Sequence, residues 1–192
     1  MRKKALLKRL GGTALAVSMM LTMTGCPLSF IVSFADPGLE AAVRQELGQP
    51  IGFVNRLDIL RLRSLDAKGL SIRNLSGLEF ATGLSFLDLS NNPVSDITPL
   101  TNLNNLKTLN LDQTSVFDLA PLAGLTQLNS LSVCGAAVTD IQALVTNAVV
   151  GGLGPGDFVN LQCDLLSNAA ETVQVPSLQA FGVNVACCEE DS

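Results

Sequence analysis

The sequence predicts an α/β solenoid: a stack of short, similar coils, closed at one end by a helical segment and at the other by a non-repeating one. Two observations carry this. First, the 22 residues Leu84 to Asn105 place Leu84, Leu87, Leu89, Asn92, Val94, Ile97, Leu100 and Leu103 in a frame that the next 22 residues repeat, with Leu106, Leu109, Leu111, Thr114, Val116, Leu119, Leu122 and Leu125. The frame also fits one copy back, from Leu62 through Leu65, Ala67, Leu70, Ile72, Leu75, Leu78 and Ala81, and one copy forward, from Leu128 through Leu131, Val133, Val138, Ile141 and Leu144. Helices and strands have periods of 3.6 and 2, so a period of 22 requires one stackable unit per repeat. Second, the repeats are flanked on one side by a helix-like amphipathic pattern and on the other by residues that fall out of phase. A coil of this length cannot bury its own apolar face, so each supplies the floor of the next.

The motif L-x-x-L-x-L-x-x-N-x-L lies at Leu84–Val94, with Val in the last slot. It resembles the signature of leucine-rich-repeat proteins, and the 22-residue length with the tail V-S-D-I-T-P-L looks like the internalin-type bacterial subclass. This resemblance covers roughly residues 62–147, with an atypical fifth coil after it. It implies a right-handed solenoid with short parallel strands on the concave side and 3₁₀ or extended turns on the convex side.

Along the chain, residues 1–25 read as a signal peptide. Arg2, Lys3, Lys4, Lys8 and Arg9 form a basic start and Leu10 to Thr24 an apolar run. Met23-Thr24-Gly25-Cys26 resembles a bacterial lipobox, although Met23 stands where Leu is usual; cleavage there would leave Cys26 as a lipidated N-terminus. An ordinary secretory signal is the alternative. The apolar run is shorter than the roughly 20 residues of a spanning helix and contains Gly11 and Gly12. Pro27 rather than Asp follows the Cys, so an outer-membrane or cell-surface anchor is expected. Residues 26–35 read as a tether. Residues 36–61 read as a helical N-terminal cap: Asp36 as N-cap, Pro37 at the first helical position, Leu39, Val43 and Leu47 on one stripe, Gly48 as the stop, and a second short helix from Asn55 with Asp58 three residues on. The run Phe34 to Gly48 resembles the helical cap that precedes bacterial repeats of this type.

Residues 62–164 form the repeats. Asn74, Asp96, Asp118 and Asp140 recur at one frame position. They read either as caps of the turn that follows, in which Pro99 and Pro121 fit, or as a cation-binding stripe. Between the buried strand positions two columns point outward. Ser64, Phe86, Thr108, Ser130 and Phe158 make one, and Asp66, Asp88, Asn110, Ser132 and Asn160 the other. These ten residues are the predicted ligand-binding face. Phe86 and Phe158 have no core to join, and aromatics are enriched at binding hot spots. Asp66 and Asp88 should stand about 5 Å apart on neighbouring strands, a spacing that a retaining glycosidase also uses, so a hydrolase is a remote alternative. The fourth coil carries about six extra residues at Val149–Pro155, read as a surface loop because neither P-loop nor Rossmann spacing surrounds the glycines. Gly152–Leu161 resembles the segment that closes some bacterial repeat arrays. Residues 165–192 read as a C-terminal cap and tail: a helix over 168–174, a second opened by Pro176, and a closing strand in which Val183, Val185 and Cys187 alternate with Asn184, Ala186 and Cys188.

Composition bounds the function. The chain has no His, Trp or Tyr, which removes the commonest general base and metal ligand. Of 12 Lys+Arg, five lie before Cys26, leaving 7 against 17 Asp+Glu. This acidic balance argues against nucleic acid, which requires clustered Lys and Arg. Apart from Cys26, the cysteines are Cys134, Cys163, Cys187 and Cys188, an even number that suggests disulfides in an exported chain. The bond expected joins Cys163 to Cys187 or Cys188 and closes about 25 residues, for roughly 3 kcal/mol; Cys134 either takes the other tail cysteine or stands outside the pair. Zinc is the rival use, without His or C-x-x-C spacing to support it. Neither cofactor nor metal is expected. The sequence therefore reads as a non-catalytic, monomeric protein-binding module, held to the membrane by its N-terminal lipid. A structural envelope lipoprotein without a ligand is the alternative from a different class.

Overall fold

The computed structural model describes residues 30–162 and 166–187, and everything below concerns the unit that begins at Ile31. Six three-residue strands form one parallel sheet in chain order: β1 Ser64–Asp66, β2 Phe86–Asp88, β3 Thr108–Asn110, β4 Ser130–Ser132, β5 Phe158–Asn160 and β6 Asn184–Ala186. The register is constant, with Leu65, Leu87, Leu109, Leu131, Val159 and Val185 side by side. The first five of these are at most 1% exposed. Strand pairing continues past the strand ends in a repeating ladder: Ala67 N–H to Asp88 O, Leu89 N–H to Asn110 O, Leu111 N–H to Ser132 O, Val133 N–H to Asn160 O and Leu161 N–H to Ala186 O, at 2.7–3.0 Å. The predicted leucine-rich-repeat solenoid is the observed fold.

Behind the sheet, each regular coil turns through a short 3₁₀ segment: Leu78–Phe80, Thr98–Leu100 and Ala120–Leu122. Pro99 and Pro121 occupy their second positions, where no intrahelical N–H is needed. The acid column sets up these turns. Asn74, Asp96, Asp118 and Asp140 each accept the N–H two residues on, at 2.7–2.8 Å from Ser76, Thr98, Ala120 and Gln142. Both the side chain and the N–H of Thr98 hold the Asp96 carboxyl below its ordinary value of 3.8. The capping role accounts for the whole column. The corners that leave the strands also repeat at 22 residues, with Gly69, Asn91, Gln113 and Gly135 all at φ between 54° and 67°, where only the two glycines are free of a Cβ penalty.

One frame position departs from expectation. Leu70 is 43% exposed, although Asn92 and Thr114 at the same position are buried. The corner has positive φ at both Gly69 and Ser71, which turns the side chain outward. Its place is taken from the next coil. Asn92 donates to Ala67 O and Leu89 O, each at 2.8 Å, and accepts from Ile72 N–H at 2.9 Å.

At the N-terminal end, helix α1 (Pro37–Glu46) buries Leu39, Ala42 and Val43. Helix α2 (Arg56–Ile59) starts with a capping box between Asn55 and Asp58. The segment read as a tether is packed from residue 31 on: Ile31 bridges Asn55, Val32 N–H donates to Val54 O at 2.8 Å, and Val32 is 5% exposed. Asp36 joins the cap to the first coil. One carboxylate oxygen accepts Gly38 and Leu39 N–H at the start of α1, and the other accepts Arg73 N–H at 2.8 Å and Asn74 N–H at 3.4 Å. Burial pushes this carboxyl up, but the four N–H donors together outweigh it and hold it below 3.8.

The fourth coil replaces its 3₁₀ turn with helix α3 (Gln142–Val149), and the six extra residues follow it. They are not simply a surface loop, because Leu153 is 1% exposed. Asn147, fully buried in α3, donates to Leu122 O and Leu125 O and accepts Leu153 N–H at 2.8 Å. Gly152 is glycine for this reason: a Cβ there would run into the Asn147 side chain. The last coil holds one continuous helical run rather than two helices, a π-helical turn Ala170–Gln174 passing directly into α4 (Val175–Ala180). Gln174 bonds back to the fourth coil, accepting Ile141 N–H at 2.9 Å and donating to Asp140 at 3.1 Å.

Two outcomes test these joints. Asp36→Asn presents an NH₂ group where the carboxylate accepts backbone N–H groups, and should cost about 1–3 kcal/mol at neutral pH. A carboxyl with a lowered folded pKa stabilises fully above the unfolded value and loses that contribution as pH falls through the folded one. The gap in urea midpoint between wild type and Asp36→Asn should therefore close on acidification below 3.8; a gap independent of pH would remove the carboxylate from the account. Asn92→Ala leaves Ala67 O, Leu89 O and Ile72 N–H without their partner, and should lower unfolding free energy by about 2–4 kcal/mol, read by denaturant titration.

Candidate functional site: the strand face

All ten predicted face residues lie on the strands, in the predicted columns. Ser64, Phe86, Thr108, Ser130 and Phe158 are paired in sequence along the sheet, and Asp66, Asp88, Asn110, Ser132 and Asn160 likewise. The sheet extends one strand further than the predicted site, so Asn184 stands beside Phe158 and Ala186 beside Asn160.

The two columns differ in what their side chains are doing. Residues of the second column end a strand, and most spend one side-chain oxygen on the turn that follows. Asp66 accepts Lys68 N–H at 3.2 Å, Asp88 accepts Ser90 N–H at 2.8 Å, Asn110 accepts Asp112 N–H at 2.9 Å and Asn160 accepts Gln162 N–H at 3.1 Å. Short polar side chains are favoured at such places because they mimic one turn of backbone. Ser132 breaks the series and joins a relay across coils. Asn160 donates to the Ser132 hydroxyl at 3.0 Å, and that hydroxyl donates to Asp112 at 2.6 Å. The same Asp112 oxygen accepts Cys134 N–H at 2.7 Å. Sequence reading missed Asp112, whose one available signal was its place two residues past the strand, in line with Ser90 and Cys134.

The first column carries Phe86 and Phe158, which are 37% and 44% exposed. Thr108 and Ser130 lie between them on β3 and β4. Three strand spacings of roughly 4.8 Å put the two phenylalanine positions about 14 Å apart. Two half-exposed rings thus flank two hydroxyls on a face held by backbone hydrogen bonds. Asp66 and Asp88 are register partners beside Ser64 and Phe86, adding carboxylates at the β1 and β2 end.

The remaining predicted positions fall elsewhere. Cys26, Cys163 and Cys188 lie outside the described residues, and with them the lipid site and the predicted disulfide. Cys134 and Cys187 are half-buried, and no disulfide joins them to each other. Cys187 packs against the core beyond β6. Among the described residues no three His, Cys, Asp or Glu side chains gather in a group that could hold a metal ion.

No family model matches the chain. Among solved structures it is similar to an internalin of Listeria monocytogenes, at 20% identity over 80% of this chain and 56% of that one, with a TM-score of 0.47. It is also similar to an internalin C2 of the same organism, at 20% identity over 81% of this chain and 94% of the other, with a TM-score of 0.39. A third likeness is to the CBM51-2 and INT domains of Clostridium perfringens ZmpB, at 23% identity over 58% of this chain and 20% of that one, with a TM-score of 0.31. The chain thus spans just over half the length of the first of these proteins.

Proposed function

We propose that this chain is a non-catalytic protein-binding module, exported to the bacterial cell envelope, lipid-anchored through Cys26 at the outer membrane or cell surface, and presenting its concave strand face to a protein partner. The observation that carries the reading is the difference between the two columns. Hydrogen bonds to local turns and to neighbouring coils account for the second. Nothing in the fold accounts for large apolar rings half-exposed at Phe86 and Phe158, where small polar residues occupy the same column at Ser64, Thr108 and Ser130. Rings held on a rigid sheet lose little entropy on binding, which suits them to anchor a partner. The carboxylates of Asp66 and Asp88 favour a partner with basic groups at that end. Their use as turn caps explains the pair without a reaction.

The test is a crosslinking pull-down from native envelope and culture medium, with wild type and a Phe86→Ala/Phe158→Ala double variant side by side. Truncating two hot-spot rings should cost about 2–4 kcal/mol, a loss of at least thirtyfold in affinity, with the unfolding midpoint unchanged within about 1 °C because neither ring is in the core. Equal capture by both proteins, or capture by neither, would transfer the assignment to a structural envelope lipoprotein.

A further inference from the structure

The N-terminal cap carries the feature that the strand face does not explain. Within the ten residues 51–60, four large apolar side chains are left in solvent: Ile51 at 86%, Phe53 at 56%, Leu57 at 65% and Leu60 at 41%. Val54 and Ile59 in the same stretch are buried and hold it in place, so the exposed side chains belong to an ordered surface. Leu57 and Leu60 are three residues apart on α2 and its C-cap, and so share a face. Arg56, Arg61 and Arg63 are exposed among them. Arg56 adjoins Leu57 in the chain and lies over the Phe80 ring, 4.3 Å from its centroid, and Arg63 donates to the backbone carbonyl of Leu60 at 2.7 Å, so neither guanidinium is consumed by an acid in these contacts.

Charge is distributed to match. Residues 30–73 hold Arg44, Arg56, Arg61, Arg63, Lys68 and Arg73 against five acids, whereas residues 74–192 hold Lys107 alone against twelve. The arginines therefore cluster at the cap end of a chain that is otherwise acidic. Apolar side chains interleaved with arginine are the composition of a surface that lies in the headgroup region of an anionic bilayer. Ile31 is bridged to Asn55, inside this same stretch. Five peptide units separate Cys26 from Ile31, and the chain can span at most about 3.6 Å for each, so a lipid on Cys26 limits Ile31 to roughly 18 Å from the membrane.

We propose that residues 51–63 of the N-terminal cap rest on an anionic phospholipid surface, with Ile51, Phe53, Leu57 and Leu60 entering the headgroup layer and Arg56, Arg61 and Arg63 meeting lipid phosphates. This deepens the anchored reading above and rests on acylation of Cys26. The lipid supplies the affinity, and the cap contact fixes which end of the solenoid faces the membrane.

The chain has no Trp and no Tyr, so a single introduced tryptophan reports its own surroundings. Phe53→Trp, Leu57→Trp and, as a control on a later coil, Phe117→Trp, at a position 64% exposed in wild type, would each be made in the full chain. Each variant would be purified from bacterial membranes and reconstituted into vesicles of brominated phosphatidylcholine with phosphatidylglycerol. Emission from the two cap variants should shift to the blue and be quenched at least twofold by the bromolipid, with both effects weakened when phosphatidylglycerol is left out. The Phe117→Trp control should emit as in water, unquenched. Emission from the cap variants that matches the control, or equal quenching in all three proteins, would overturn the cap contact. Intact mass of the same preparations separates the two readings. Acylated protein with an unquenched cap fluorophore sinks the contact and leaves the anchor standing, whereas an unacylated mass sinks the anchor and this proposal with it.

Discussion

An open-ended stack must be closed, and the rest of this structure answers to that constraint. Each coil presents a layer of Leu, Val and Ile to its neighbour, and residues such as Leu87, Leu100 and Leu109 are at most 1% exposed because a coil lies on either side. Burying one such side chain contributes about 1.5–3 kcal/mol, which a terminal coil would forfeit on its open side. The chain closes both ends with helices that lack the repeat, and joins them through buried polar side chains rather than apolar contact alone. Asp36 serves α1 and the first coil with one carboxylate. Gln174 ties the last helical run to the fourth coil. Asn147 ties α3 to the third coil and to the inserted residues. An apolar contact tolerates small slips, but a hydrogen-bonded polar group has one register in which it is satisfied.

That division explains what was legible in the sequence. Columns at 22-residue spacing gave the strands, their register and both outward-facing columns, because a period is a property of many residues at once and survives single departures. The capping acids were legible for the same reason. The joints were not. Gln174 meets Ile141 across 33 residues, outside the repeats, so nothing in the pattern separates it from a surface polar residue. Asn147 stands at the frame position of Leu103 and Leu125, but an Asn there reads as the end of the repeat rather than as a buried joint. Leu70 shows the opposite failure: it keeps the frame in sequence but a corner with two positive φ values turns it out. The inserted glycines resemble a solvent loop because composition records that Gly152 is small, not that Asn147 stands against it.

On the strand face, the period that built the scaffold also sets the background against which a binding site shows. The second column reads Asp, Asp, Asn, Ser, Asn and is largely consumed by turns and by the relay through Ser132 and Asp112. A polar column on a solvent-facing sheet therefore says little about ligands. In the first column the fold asks only for a side chain that tolerates water, which Ser64, Thr108 and Ser130 satisfy. Phe86 and Phe158 exceed that requirement on two non-adjacent strands, and a departure from what the repeat needs is more informative than conformity with it.

Charge departs from uniformity along the stacking direction in the same way. If acidic residues served solubility alone, the arginines would gain nothing from gathering at one end. Instead a single Lys107 relieves the twelve acids that follow residue 73. Near an anionic bilayer those acids are repelled, with a strength that fades over roughly 8–10 Å at physiological salt. Five exposed cationic side chains near the first strand, Arg56, Arg61, Arg63, Lys68 and Arg73, are attracted over the same range. With the proposed cap contact, attraction at the cap and repulsion from the later coils would act in the same sense, and the solenoid would stand on its first coil. Because strands β1 to β6 succeed one another in the direction away from the cap, Phe86 would then lie nearer the membrane than Phe158, and a partner spanning both rings would have to approach from the side rather than through the bilayer surface.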